Sequence, residues 1–321
     1  MKVIVVGAGI AGCICARRLS DMGHEVMVVE KGRGVGGRMS TRRMNGAIID
    51  HGAQFFTFRD KRLFEYLQEW RDDEHVVEWY DHVPNRPDLA CRSRFRGVLG
   101  MTAPAKHLSR ALKVEKNFFV QFIKWSRGAW VVEEKGTNGR SLNADHLVLT
   151  LPVPQTLELF SRSSFELETK VMSKLMKIRY TRCFALFGLL DRVSSVPIPG
   201  TIVHPTPQID WIADNQLKGI SPKPAFTLHA SSQFSDEIWN VPDNDGILSL
   251  VPVVEGLMQA KILEWAIHRW HFSKPLVTFG ESHFHSPDRH LSLAGDGFSG
   301  ERVESAAISG WEAAESITQG A

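Results

Sequence analysis

Cysteine is scarce: there are 4 in 321 residues, at positions 13, 15, 91 and 183. They are too few and too scattered for a disulfide framework or a four-thiolate zinc site, and no pair has the spacing of a redox disulfide. Cys13 and Cys15 are the one close pair. On a helix, residues two apart point to different faces, so ordinary packing is expected of both. Long apolar runs are also missing. None approaches the ~20 residues of a membrane-spanning helix, and a strand-like run already begins at Val3, which leaves no room for a signal peptide. A cytoplasmic protein with no membrane partner is therefore expected. Neither sign of charge dominates: Lys+Arg 38 against Asp+Glu 36 leaves +2. So balanced a chain has no overall field for gripping nucleic acid. Internal repeats and low-complexity stretches are absent as well. The 43% hydrophobic and 23% charged residues that are present are those of an average globular protein, at about twice the ~150-residue prior for one domain.

The chemistry begins at the N-terminus. Val3-Ile4-Val5-Val6 is a β-branched run of the kind covered on both sheet faces, and Gly7-Ala8-Gly9-Ile10-Ala11-Gly12 follows it directly. G-x-G-x-x-G between a strand and a helix is the dinucleotide-binding fingerprint. Gly7 allows the tight turn, Gly9 lets backbone approach a pyrophosphate, and Gly12 permits close helix packing. The helix, read as about Ile10 to Met22 and ended by Gly23, would turn free N–H groups and the positive end of its dipole toward phosphate. A second strand, Val26-Met27-Val28-Val29, closes on Glu30, which stands 18 residues after Gly12. A carboxylate there accepts from ribose hydroxyls and repels a 2′-phosphate, so NADP is disfavoured at this site.

FAD and NAD share that fingerprint, and the next segment distinguishes them. Gly32 to Thr41 is glycine-rich and contains Gly36-Gly37-Arg38, without the G-K-[ST] ending of a triphosphate-binding loop. A guanidinium at Arg38 can neutralise a pyrophosphate bidentately. Glu30, Gly36-Gly37-Arg38 and then Asp50-His51-Gly52-Ala53-Gln54-Phe55-Phe56-Thr57 resemble the flavin-containing amine oxidase superfamily, and the last string resembles its renalase branch. At the other end, Leu291-Ser292-Leu293-Ala294-Gly295-Asp296 reads as a strand, and a helix-spaced stripe of apolar and small residues begins at Val303. Within the resemblance, Asp296 binds the ribityl chain. The helix starting near Val303 aims its N-terminus at the flavin edge where charge collects on reduction. Val120 touches adenine.

The resemblance implies an α/β plus α+β protein: a Rossmann-like FAD-binding domain of glutathione-reductase type with an inserted, mostly antiparallel-sheet substrate domain. Residues 1–59, 95–170 and 280–321 are assigned to the first, and 60–94 and 171–279 to the second. Candidate cofactor-binding residues are Gly7, Gly9, Ile10, Ala11, Gly12, Glu30, Lys31, Gly37, Arg38, Gln54, Val120, Gly295, Asp296 and Val303. Gln54, Trp211, His229 and Trp270 are the candidate substrate wall. No catalytic residue is assigned and no metal is expected. His283-x-His285 with His290 lacks a carboxylate-rich partner motif; the three imidazoles are expected to hydrogen-bond near the cofactor. Arg92, Arg94 and Arg96 alternate on one possible strand face, read either as a phosphate site or as a solvated edge.

Amine oxidases typically cage the substrate amine between aromatic rings, often tyrosines. This chain has 3 tyrosines, none after Tyr180, and no cysteine after Cys183 to tether a flavin. No lysine stands at Tyr180–Cys183, where many amine oxidases present one to the flavin. The FAD is therefore expected to be non-covalent. The activity implied by the renalase branch is removal of hydride from 2- or 6-dihydroNAD(P) to flavin N5 and on to O2, giving H2O2. Oxidation of an amine, a porphyrinogen or a polyene is the same-class alternative, and a non-catalytic flavin-binding scaffold the alternative of another class. The partners expected are a small-molecule substrate and O2, with monomer or homodimer left open.

Overall fold

The computed structural model describes residues 1–82, 92–136 and 139–319, so Cys91 lies outside the described residues. The β-branched run forms the strand Lys2–Val6, in which Val3, Ile4 and Val5 are fully buried. It sits inside a six-stranded sheet with the order Phe284–Ser286, Leu291–Leu293, His146–Leu149, Lys2–Val6, Glu25–Glu30, Lys113–Lys116. All neighbours pair parallel except the edge strand Phe284–Ser286. Parallel strands need cover on both faces, which is why these segments read as unbroken apolar runs.

One face is covered by the first helix, Ile10–Asp21, crossed by the last, Val303–Gln319. A Cβ built on Gly310 would lie 2.1 Å from the Ala11 carbonyl oxygen, so only glycine permits the crossing. The other face is covered by Phe118, Trp130 and Phe160, with the antiparallel meander Val120–Ser126, Ala129–Glu134, Ser141–Ala144. The sheet is thus assembled from both ends of the chain, as the positions of the two glycine motifs imply.

Between them lies a five-stranded sheet, ordered Thr201–Thr206, Ile209–Asp214, Ala225–Ala230, Cys183–Leu190, Ile262–Trp270 and antiparallel throughout. One face closes on its own core, including Phe184, Leu186, Ile212, Phe226, Trp239 and Met258. On the other, Ala185, Phe187 and Ala225 pack against Ala47 and Ile49 of the hairpin Thr41–Met44/Ala47–Asp50. The expected combination of a Rossmann-like parallel sheet and an antiparallel sheet is observed.

Within 60–94, the described residues up to 80 pack mainly with the parallel-sheet unit. Helix Phe64–Asp72 and strand Val76–Tyr80 bury Tyr66, Trp70 and Val76 in the cluster of the first and last helices. Tyr66 and Trp70 are four apart on one helix face, and Tyr66 meets the edge of Trp311 at 5.9 Å. Among its described residues, Trp79 reaches the antiparallel unit, its indole N–H donating to the Pro199 carbonyl at 3.0 Å.

Candidate functional site

A groove of about 1420 Å³ runs between the ends of the parallel strands and the part of the antiparallel sheet beside its hairpin contact. That exceeds the ~300–1,000 Å³ of an ordinary small-ligand pocket and leaves room for a dinucleotide beside a second molecule. Every candidate cofactor and substrate residue lines it except Gly12. Gly12 lies beneath, where a Cβ would be 2.0 Å from the Gly7 carbonyl oxygen, so its part is to let helix approach strand. The helix beginning at Ile10 has no side-chain cap, which leaves first-turn N–H groups for a phosphate. The Glu30 oxygens accept from the backbone N–H of Ala8 at 2.8 Å and of Gly32 at 2.6 Å. The carboxylate is thereby fixed with lone pairs left for ribose hydroxyls. Uncapped amides, a fixed acid and a glycine-lined cradle fit FAD.

Arg38 does not stand free for a pyrophosphate. Its guanidinium forks onto Asp296, Nη1 to Oδ2 at 2.5 Å and Nη2 to Oδ1 at 2.7 Å, and also donates to the Phe272 carbonyl at 3.2 Å. Burial works against the Arg38 charge, but Asp296 outweighs it and raises its pKa. Tyr180 donates to Asp296 Oδ1 at 3.3 Å. Burial and the neighbouring carboxylate push the Tyr180 hydroxyl well above the phenol range. The two cofactor motifs, 258 residues apart, are therefore cross-linked on the groove floor.

The facing wall is one row across the sheet. Val203 registers with Trp211, Trp211 with His229, His229 with Ala185, and Ala185 with His268. Residues in register share a face, and Val203, Trp211, His229 and His268 all line the groove. Cys183 and Trp270, also in register, form the next row. His51 fits against both rows: its ring stacks on Trp270 at 5.6 Å and lies 5.0 Å from Phe187 and 5.2 Å from His268. The His51 carbonyl accepts from Trp270 Nε1 at 3.0 Å and from His229 Nε2 at 3.2 Å. A carbonyl only accepts, so neutral His229 carries its proton on Nε2.

Burial, with His268 and Arg42 nearby, lowers the His51 pKa to about 3. Burial likewise lowers that of His229 to about 4. Both rings are neutral at pH 7. His51 Nδ1 and Trp211 Nε1 are buried with no hydrogen-bond partner, two unsatisfied polar atoms on a groove wall.

Gln54 is in the groove lining, yet its amide is turned inward. Nε2 donates to the Asp50 and Gly52 carbonyls at 2.6 and 3.0 Å, and Oε1 accepts from Lys218 Nζ at 3.3 Å. Lys218 and Asp50 are a fully buried ion pair at 2.8 Å. Burial lowers the Lys218 pKa, with Asp50 opposing. Asp50 Oδ1 also accepts from Thr41 Oγ1 at 2.6 Å and Met101 N–H at 2.8 Å. A lysine thus does reach this region, from the loop after Asp214 instead of from Tyr180–Cys183.

His51, Asp50 and Lys218 escaped assignment from sequence. His51 and Asp50 lay inside the Asp50–Thr57 string; nothing local marks Lys218. Other readings resolve differently. His283 bonds Ser316 at 2.6 Å and His285 bonds Ser292 at 2.9 Å, and neither they nor His290 line the groove expected to hold the cofactor. Arg94 lies over the Tyr80 and Phe55 rings at 5.0 and 5.5 Å, so this arginine packs on aromatic faces. Cys13 and Cys15 are buried, their thiols pushed up to about 12 by burial.

A family model described as an NAD(P)-binding Rossmann-like domain matches residues 5–70. The chain is 44% identical over 104 residues to a 4,4'-diapophytoene desaturase (4,4'-diaponeurosporene-forming) of Staphylococcus aureus strain bovine RF122 / ET3-1. That stretch covers 28% of this chain and 20% of the desaturase, so only about a fifth of the relative is spanned. Among solved structures, a candidate protoporphyrinogen oxidase from Exiguobacterium sp. 255-15 superposes with a TM-score of 0.74 at 15% identity, covering 99% of this chain and 98% of that one. Putrescine oxidase bound to putrescine superposes with 0.74 at 14% identity and 99% of each chain. Among the described residues no helix is long and apolar enough to cross a membrane. The dinucleotide fingerprint thus lies in a matched Rossmann-like domain, and the chain shares its fold end to end with these two solved structures.

Proposed function

We propose that the protein is a renalase-like FAD-dependent oxidase that takes hydride from a misplaced-hydrogen isomer of a dihydronicotinamide dinucleotide, 2- or 6-dihydroNAD(P). O2 is the terminal acceptor and H2O2 the co-product. The observation that carries this reading is the makeup of the wall facing the dinucleotide motif. It consists of Trp211, Trp270 and imidazoles held neutral, with Arg42, Arg182 and Lys274 around them. All three tyrosines are committed elsewhere: Tyr66 stacks on Trp70, Tyr80 sits under Arg94, and Tyr180 bonds Asp296. No tyrosine cage is left for an ammonium group, and the cations would repel one. They suit a substrate carrying phosphates.

Bound FAD supplies a two-electron acceptor. A dihydronicotinamide ring expels hydride with the push of its own nitrogen lone pair and needs no general base. The chain's task is then to hold the ring flat, exclude water and keep its own imidazoles unprotonated. Trp211 and Trp270 provide flat apolar surface. The shared His51 carbonyl fixes Trp270 and His229 in orientation, and the antiparallel unit of about 171–279 acts as the substrate domain.

The test is anaerobic mixing of the purified flavoprotein with 6-dihydroNADH, NADH or primary amines while flavin absorbance is followed. Bleaching by the 6-dihydro isomer far faster than by NADH is expected. Bleaching by an amine alone would overturn the reading, and no bleaching by any of them would make the protein a scaffold.

A further inference from the structure

Away from the groove, where helix Phe64–Asp72 turns into strand Val76–Tyr80, three side chains converge from two segments. Asp73, His75 and His107 each bring one ligand atom, all within 4.8 Å of one another. His107 Nε2 is 2.8 Å from Asp73 Oδ2, and Glu69 Oε1 is 3.9 Å from the same nitrogen. The His75 and His107 rings are 4.9 Å apart. The sequence hides this group because His107 comes from helix Ala103–Ser109, more than thirty residues later.

Local backbone makes the convergence. Asp73 N–H donates to the Glu69 carbonyl and ends the helix, while Glu74, at φ 54, takes the left-handed conformation. His75 N–H then returns to the Trp70 carbonyl at 2.8 Å. That reversal places Asp73 and His75 beside each other, and Glu69 one turn back. His107 is only 7% exposed, and its Nε2, 2.8 Å from Asp73, is the nitrogen turned toward the cluster.

We propose that Asp73, His75 and His107 form a binding site for a divalent first-row transition metal, Zn²⁺ being the reference ion, with Glu69 or water as fourth ligand. Two imidazoles and a carboxylate are a borderline donor set that suits Zn²⁺ over Ca²⁺ or Mg²⁺. Bonds of ~2.0–2.2 Å place tetrahedral ligands ~3.3–3.5 Å apart, so the present spacing closes with rotamer adjustments of about 1 Å. Lys106 and Ser109 flank His107 on its helix and line the groove. Metal at His107 therefore fastens a helix that forms part of the dinucleotide side.

The experiment uses the full flavin-loaded chain, stripped with a chelator and titrated with Zn²⁺ against a chromophoric competitor; Co²⁺ serves as a spectroscopic probe. One tight equivalent, the intense visible bands of tetrahedral Co²⁺ and a higher unfolding temperature with metal are expected. His75→Gln and Asp73→Asn, at partly and fully exposed positions, should each weaken Zn²⁺ binding at least about tenfold while leaving metal-free unfolding unchanged. Two results overturn the proposal: a weak, octahedral Co²⁺ spectrum in the parent protein, or variants that bind Zn²⁺ as tightly as the parent does.

Discussion

The two sides of the groove are made of different material. On the dinucleotide side the working parts are backbone: the uncapped amides after Gly9, the turn at Gly7 and the contact under Gly12. Side chains there serve to hold backbone in place, as Glu30 does for Ala8 and Gly32. On the facing wall the working parts are rings delivered by three strands and one loop, and backbone only sets their register. A backbone site tolerates almost no change of residue type at a few positions. A ring wall tolerates many changes, each with a graded effect.

The harshest test of that contrast is Gly12→Val. Its Cβ would meet the Gly7 carbonyl at 2.0 Å and Thr150 Oγ1 at 2.9 Å, and backbone cannot retreat. A loss above about 4 kcal/mol and colourless protein are expected, read by flavin absorbance and thermal unfolding. A yellow, stable variant would mean that the floor is less rigid than described.

Next in size is Lys218→Met, behind the wall. It strands the buried Asp50 carboxylate, at about 3–5 kcal/mol in denaturant unfolding. Asp50→Asn combined with Lys218→Met should recover much of that loss. If the double variant is no better than the single, the pair is not what joins hairpin Thr41–Asp50 to the antiparallel unit.

A third test is pH. The folded pKa values of His51 and His229, about 3 and about 4, lie below the ~6.5 of an unfolded histidine. Between those values the unfolded chain binds more protons, so stability falls as pH drops from ~6.5 toward 3. His51→Phe should reduce that fall by an amount on the order of a few kcal/mol, compared by unfolding at pH 7 and pH 4.5. An unchanged acid slope would show that His51 is not the group resisting protonation.

The mildest test is Trp270→Phe. It keeps an aromatic surface but loses the bond to the His51 carbonyl. Flavin content should be unchanged, with bleaching by 6-dihydroNADH slowed about tenfold. Equal losses of flavin and rate would place Trp270 on the cofactor side of the comparison.

The same contrast governs what could be read from sequence. Gly7, Gly9, Gly12 and Glu30 were legible because the backbone geometry they serve admits few residue types at fixed spacing. Gly295 and Asp296 were legible because a strand must end there. The wall was only half legible. Trp211, His229 and Trp270 could be named, but alternation along a strand fixes a face and not a register, so nothing linked Trp211, His229 and His268 as one row. Lys218 could not be found at all, since its partner Asp50 lies 168 residues away and its flanking loop has no motif. The described helix and strand at 64–80 bury Tyr66, Trp70 and Val76 with the first and last helices, a choice of core that no residue pattern in that segment states.

The crossing at Gly310 also bears on how the protein is made. Strand Lys2–Val6 and the first helix leave the ribosome early, but the surface they pack on, the helix Val303–Gln319, comes about 300 residues later. At ~5–20 residues per second the interval is roughly 15–60 s, during which apolar Ile14 and Leu19, buried in the folded cluster, lack their final partner. The half of the molecule that comes first in the chain must therefore be among the last to be completed. Chaperone dependence during synthesis, and sensitivity to truncation at the C-terminus, should both centre on that first helix.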